Sequence, residues 1–196
     1  MSTSPYRART LPQVVTDAAA QYGAQIAITD GDAQLTYTEL DAARIQAARA
    51  FIAAGLEKGD RIAIWAPNIY QWIIAAIGAQ SIGGVVVPLN TRYKGPEAGY
   101  VLRASGALFT VGEFLGAHYP EMLLDQDLPA LQHTVLLRGD AAGCESWDAF
   151  LAAGEAVASS EVSRRAAEIT PEDTLDILFT SGTTGNPKGV VTCHGQ

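Results

Sequence analysis

Arg61-Ile62-Ala63-Ile64-Trp65-Ala66, then Pro67-Asn68, an apolar run over residues 69–82, Gly83-Gly84 and Val85-Val86-Val87-Pro88-Leu89: this stretch decides the fold. The two outer runs are short, apolar and rich in β-branched side chains, as buried strands are. Pro67-Asn68 breaks the first of them. Residues 69–82 are apolar almost all round, the composition of a helix buried on several sides. Strand, buried helix and strand in that order make a parallel βαβ unit. The expected class is therefore α/β: a doubly wound, mostly parallel sheet flanked by helices.

The pattern extends both ways from that unit. Upstream, Thr10-Leu11-Pro12 starts a helix to about Tyr22, with proline in the first turn where its missing N–H does no harm. Residues 25–29 and 34–36 read as short strands around the Asp30-Gly31 turn. Thr36 and Glu39 form a capping box for a helix that runs to Ala54 and stops at Gly55. Leu40, Ala43, Ala47, Ala50, Phe51 and Ala54 give that helix one apolar face. Downstream, Gly95-Pro96-Glu97 opens a helix ending near Ser105-Gly106, and residues 108–111 form a strand. A helix is predicted over residues 113–124, a strand over 133–137, and a short helix capped by Ser146-Trp147-Asp148. Residues 139–145 and 154–165 read as surface connections, and Trp65, Trp72 and Trp147 as core packing.

Composition narrows the function classes. With 48% hydrophobic and 17% charged residues the chain is globular rather than disordered. A net charge of −8, with only Lys58, Lys94, Lys188 and ten scattered arginines, disfavours nucleic acid and anionic membranes as partners. Residues 69–87 carry Gln71, Gln80 and glycines and change from helix-like to strand-like, so they read as core and not as a membrane span. Cys144 and Cys193 make neither a disulfide framework nor a metal spacing, which suits a reducing, cytoplasmic compartment. The first ten residues hold no apolar signal segment. His118, His133 and His194 lack metal-ligand spacing, and there is no G-x-S-x-G nucleophile elbow. Cys193 reads as a small buried filler, and Asn90-Thr91-Arg92-Tyr93 as a polar loop after a buried strand.

The chemistry gathers near the end of the chain. Leu175-Asp176-Ile177-Leu178-Phe179-Thr180 suits a buried strand and runs into Ser181-Gly182-Thr183-Thr184-Gly185-Asn186-Pro187-Lys188-Gly189; Val190-Val191-Thr192-Cys193-His194 reads as another strand. Glycines let backbone N–H groups turn towards an anion without a Cβ in the way. The hydroxyls add neutral donors and Lys188 a mobile charge. Each charged contact is worth about 1.5–3 kcal/mol, so a few hold a polyphosphate in one pose. The loop is not a Walker A motif, because proline stands in for the second glycine and a strand, not a helix, follows. The plain alternative is a flexible glycine-rich connector.

Residues 180–189 resemble the signature loop of the adenylate-forming superfamily, which includes acyl-CoA synthetases, luciferases and peptide-synthetase adenylation domains. Leu35-Thr36-Tyr37-Thr38-Glu39-Leu40 and Gly83-Gly84-Val85-Val86-Val87-Pro88-Leu89-Asn90 are similar to two earlier segments of that family, in the form used by fatty-acid-type acyl-CoA ligases. The resemblance implies an ATP-dependent carboxylic acid–CoA ligase that works through an acyl-adenylate, with ATP, Mg2+ and CoA, acting on a fatty acid or a bicyclic propanoate from steroid ring degradation. It implies phosphate contacts from Thr180, Ser181, Gly182, Thr183, Thr184, Gly185 and Lys188, and a hydroxyl ligand for magnesium from Thr180. His194 lies where such ligases often carry a histidine.

The same resemblance sets the domain expectation. Residues 1–196 correspond to the N-terminal portion of the AMP-binding domain and end just after the phosphate loop. The family's adenine and ribose contacts, its C-terminal lid domain and its catalytic lysine then lie beyond Gln196, as does most of the CoA site. Ligation by this chain alone is not expected. Two other classes stay open, a stand-alone ATP-binding module and a structural piece that pairs with another chain, as does homo-oligomerisation. The structural reading predicts an exposed apolar face near the C-terminus.

Overall fold

The computed structural model describes residues 9–180 and 187–196. Helix α1 (Leu11–Tyr22) leads into a hairpin of β1 (Ile26–Asp30) and β2 (Ala33–Thr36). The capping box then opens α2 (Tyr37–Ala53): Thr36 Oγ1 accepts from the Glu39 N–H at 3.2 Å, and Glu39 Oε2 accepts from the Thr36 N–H at 2.8 Å. Those bonds, the backbone one foremost, hold the Glu39 carboxyl below its ordinary range. The βαβ unit follows as β3 (Arg61–Trp65), α3 (Tyr70–Gln80) and β4 (Val85–Pro88), and then come α4 (Gly95–Leu102) and β5 (Ala107–Val111).

Residues 113–124 differ from the helix expected there. They form a tight hairpin of β6 (Glu113–Phe114) and β7 (Ala117–His118), followed by a 3-10 turn at Glu121–Leu123. Leu115 and Gly116 both take positive φ, 51° and 74°, the backbone of a two-residue hairpin turn. Gly116 weakens a helix in its first turn and Pro120 interrupts it further on, so the hairpin prevails.

The chain continues through β8 (His133–Arg138), β9 (Glu145–Ser146), α5 (Trp147–Ala153) and α6 (Ser159–Ala167) to β10 (Thr174–Thr180) and β11 (Lys188–Cys193). Helix α6 replaces much of the surface connection expected over residues 154–165. It buries only Val162 and is otherwise mostly polar, so its low apolar content hid it. Ion pairs of Arg164 with Glu161 and Glu168, and of Arg165 with Glu161 and Glu57, line it instead. Arg164 and then Arg165 hold the Glu161 carboxyl down to about 2.

Among the described residues the main sheet has seven strands in the order β11-β10-β4-β3-β5-β8-β9, and every pairing is parallel except β10 with β11. That is the doubly wound, mostly parallel sheet expected. From β3 the chain moves to β4 on one side and later to β5 on the other. Right-handed crossovers therefore place α3 and α4 on opposite faces. Accordingly α3 packs with α1 and α2, while α4 packs with the 3-10 turn. Ile62, Ala63, Ile64 and Trp65 of β3 are fully buried between the two layers. The side chains of Phe51, Phe109 and Phe150 meet at centroid distances of 5.0–5.2 Å beneath α2 and α5.

Arg44 is a buried charge that the apolar periodicity of α2 did not announce. Its guanidinium donates to Asp41 Oδ1 at 2.8 Å, Ser81 Oγ at 3.0 Å and Thr16 Oγ1 at 3.3 Å, which ties α1, α2 and the end of α3 together. Burial without those acceptors would be costly.

Candidate functional site

Helix α3 leaves β3 on one face and α4 leaves β4 on the other. A crevice therefore opens beyond the carboxyl ends of these two strands, the place where open α/β sheets bind ligands. Three side chains shape it. Trp65, the last residue of β3, stacks on Tyr119 at 4.2 Å with planes 6° apart. Its indole N–H donates to Asn90 O at 3.0 Å, and the Tyr119 hydroxyl donates to Thr91 O at 2.8 Å. Asn90 Oδ1 accepts from the Arg92 N–H at 2.9 Å and closes the turn. The polar loop Asn90-Thr91-Arg92-Tyr93 is thus an anchored turn, and Trp65 is more than core filling. Tyr119 could not be read from the sequence, because its partners lie 28 and 54 positions away. Burial pushes its phenol above its ordinary value.

Strand β10 joins the sheet beside β4, with Asp176 level with Val86. The two strands are parallel, so Thr180 at the end of β10 lies at the same edge as the turn after Pro88. On its other side β10 pairs with β11, and Thr180 lies directly opposite Lys188. Directly opposed residues share a face, so the hydroxyl and the ammonium stand together at the mouth of the hairpin. Thr180 Oγ1 donates to Lys188 O at 3.4 Å, and both residues are exposed. The structure therefore brings together Thr180 and Lys188. Ser181, Gly182, Thr183, Thr184 and Gly185 lie outside the described residues.

Gly189 has a packing reason of its own. It pairs with Phe179, and a Cβ there would sit 2.8 Å from Ile177 Cγ2. Any larger residue would push β11, and Lys188 with it, away from β10. On that face Phe179 also meets Tyr100 of α4, edge-on at 6.4 Å.

The strand expected to be buried is only half covered. Leu178 is 44% exposed, and Val190 and Val191 of the edge strand β11 are 48% and 58% exposed. Leu178 and Val190 face each other across the hairpin on the side away from α4, where no described element covers them.

His194 closes the other end of the hairpin. It is buried, its Nδ1 accepts from the Leu11 N–H at 3.0 Å, and its backbone N–H donates to Asp173 O at 3.1 Å. The imidazole thus ties the start of α1 to the end of β11. Burial holds it below its ordinary value, with Asp173 opposing that shift. Asp173 itself accepts from Lys58 Nζ at 2.6 Å and from the Thr170 N–H at 2.7 Å, an anchor for the start of β10. Cys193 is half-buried and carries no disulfide.

The mostly parallel α/β sheet thus ends, at its carboxyl edge, in a hairpin that carries an exposed hydroxyl and an exposed ammonium. The chain belongs to the AMP-binding enzyme family, whose sequence model matches residues 15–196. It is 44% identical over 96% of its length to 3-[(3aS,4S,7aS)-7a-methyl-1,5-dioxo-octahydro-1H-inden-4-yl]propanoyl:CoA ligase of Mycobacterium tuberculosis, and spans 37% of that relative. It is 38% identical over 95% of its length to the ligase of the same name from Rhodococcus jostii, spanning 38% of it. Its backbone follows the inhibitor-bound N-terminal domain of FACL13 from M. tuberculosis with a TM-score of 0.78, at 27% identity, over 95% of this chain and 44% of that one. The chain therefore spans a little over a third of the length of these curated relatives.

Proposed function

We propose that residues 1–196 are the N-terminal portion of the AMP-binding domain of an ATP-dependent carboxylic acid–CoA ligase, and that the hairpin at Thr180 and Lys188 is its phosphate-holding element. The observation that carries this is the juxtaposition of an exposed hydroxyl and an exposed ammonium at the carboxyl edge of β10. In such a ligase the substrate carboxylate attacks the α-phosphorus of ATP, pyrophosphate leaves, and an acyl-adenylate forms. The CoA thiolate then attacks the acyl carbon and AMP departs. Lys188 would meet the β- and γ-phosphate oxygens, together with donors of Ser181, Gly182, Thr183, Thr184 and Gly185. Its charge then gains value as negative charge collects on the leaving pyrophosphate.

The Thr180 hydroxyl fits one ligand position for magnesium, since its bond to Lys188 O is long and its oxygen faces outward. Among the described residues no cluster of three carboxylate, histidine or cysteine side chains could complete a cage. Magnesium there would rest mainly on phosphate oxygens and water, and it supplies charge neutralisation. The acid we assign is a bicyclic ring propanoate, supported by the names of the two ligases cited above; a fatty acid is the competing choice. The half-buried thiols favour a cytoplasmic setting, and no described helix is long and apolar enough to cross a membrane.

The open edge at Leu178, Val190 and Val191 supports the domain assignment, and we assign its cover to the further polypeptide that the longer relatives carry. The test is carboxylate-dependent ATP–pyrophosphate exchange in the full-length ligase that carries this chain. Lys188→Ala should lower the rate by about 100-fold or more, and residues 1–196 alone should show none. AMP formation untouched by Lys188→Ala at every ATP concentration would sink the reading.

A further inference from the structure

The geometry points to Arg92 as a second cationic contact for the polyphosphate, reaching it from the turn beyond β4 while Lys188 reaches it from β11. This rests on the phosphate-holding role proposed for the hairpin and goes beyond it. The other described arginines, apart from Arg103, each meet a carboxylate or a backbone carbonyl, and Lys58 meets Asp173. Among the described residues the side chains of Arg92, Lys94, Arg103 and Lys188 therefore keep no hydrogen-bond or ion-pair partner. In a chain of net charge −8, unpaired cations are scarce and their placement carries information.

Three of those four lie at one edge. Strands β4 and β10 are adjacent and parallel, so the turn after Pro88, which carries Arg92 and Lys94, and the end of β10 at Thr180 lie at the same edge of the sheet. Thr180 is in turn opposite Lys188. Lys188 shares the uncovered face of the hairpin with Leu178 and Val190, whereas the turn carrying Arg92 heads for α4 on the other face. An anion seated beyond the strand ends is thus approached from both sides of the sheet.

The turn is also held in place without using the Arg92 side chain. Trp65 and Tyr119 bond to the carbonyls of Asn90 and Thr91, and Asn90 Oδ1 holds the Arg92 N–H. The exposed guanidinium is left over, on a fixed base, with a fork geometry suited to phosphate oxygens. A pre-positioned base lowers the ordering cost of such a contact.

Titration calorimetry of the full-length ligase that carries this chain, with Mg-ATP, pyrophosphate and AMP, decides the matter. Arg92→Ala and Arg92→Gln should each weaken pyrophosphate and Mg-ATP binding by about tenfold, with AMP binding and the melting temperature unchanged. Arg92→Lys should recover part of the loss, and Arg103→Ala should bind as wild type. Pyrophosphate binding that falls in Lys188→Ala but stays at the wild-type value in both neutral Arg92 variants would overturn this inference and leave the hairpin assignment standing. A wild-type full-length ligase that binds neither pyrophosphate nor Mg-ATP would overturn both.

Discussion

Strands β3 and β10 belong to one sheet and run parallel in it, yet they live in different environments. β3 is sealed: Ile62 to Trp65 have no exposed surface, with helices on both sides. β10 has only half-buried and exposed residues, and its partner β11 offers Val190 and Val191 to solvent. The sealed centre is where the apolar transfer energy is collected. The open hairpin is where Thr180 and Lys188 stay exposed, as the phosphate-holding role proposed for them requires. Stability and ligand chemistry are thus separated along the sheet, and substitutions should divide the same way.

Phe109→Ala should have the largest effect. Its ring is fully buried against Phe51, Phe150 and Trp147, so truncation leaves a cavity and costs about 3–5 kcal/mol in urea unfolding. Leu178→Ala, at the open end, should cost less than about 1 kcal/mol. Equal losses at the two positions would erase the contrast.

Acid should act in between, through the joint of the two regions at His194. Burial lowers its folded value below the ordinary 6.5, so the unfolded chain binds the proton more readily. The stability tied to the neutral imidazole is whole above that ordinary value and drains as pH falls through the folded value. Between about pH 7.5 and 5.5 the melting temperature of the wild type should therefore fall further than that of His194→Gln. Identical slopes would remove His194 from the account. Asp30, Glu39 and Asp173, whose carboxyls are held low by hydrogen bonds and ion pairs, lose their contribution only at more acidic pH.

The smallest change is expected on the outer edge. Val191→Thr should shift stability by no more than about 0.5 kcal/mol and reduce self-association measured by light scattering. A destabilisation as large as that of Phe109→Ala would mean that the edge is not open.

Local grammar carried most of the fold. The capping box at Thr36 and Glu39, the proline in the first turn of α1 and the all-apolar α3 between two β-branched runs each state their structure within a few residues. The candidate phosphate loop stands out in the sequence for the same reason, since its glycines, hydroxyls and lysine are contiguous. Where local signals competed, the reading failed. Residues 113–124 have apolar spacing but also Gly116 and Pro120, and the hairpin won. Helix α6 is a short, mostly polar helix lined by ion pairs, with only Val162 buried.

The sequence alone determined an α/β chain with a doubly wound sheet and placed a glycine-, hydroxyl- and lysine-rich stretch between its last two strands, because those properties depend on neighbours in the chain. Only the tertiary structure decided that β10 and β11 stand half open, that Trp65 and Tyr119 fix the turn beyond β4, and that His194 ties the end of β11 to the start of α1. Those outcomes depend on which distant segments meet across the sheet. No short window of residues contains that information, because burial and pairing are set by the partner that arrives and not by the side chain that waits.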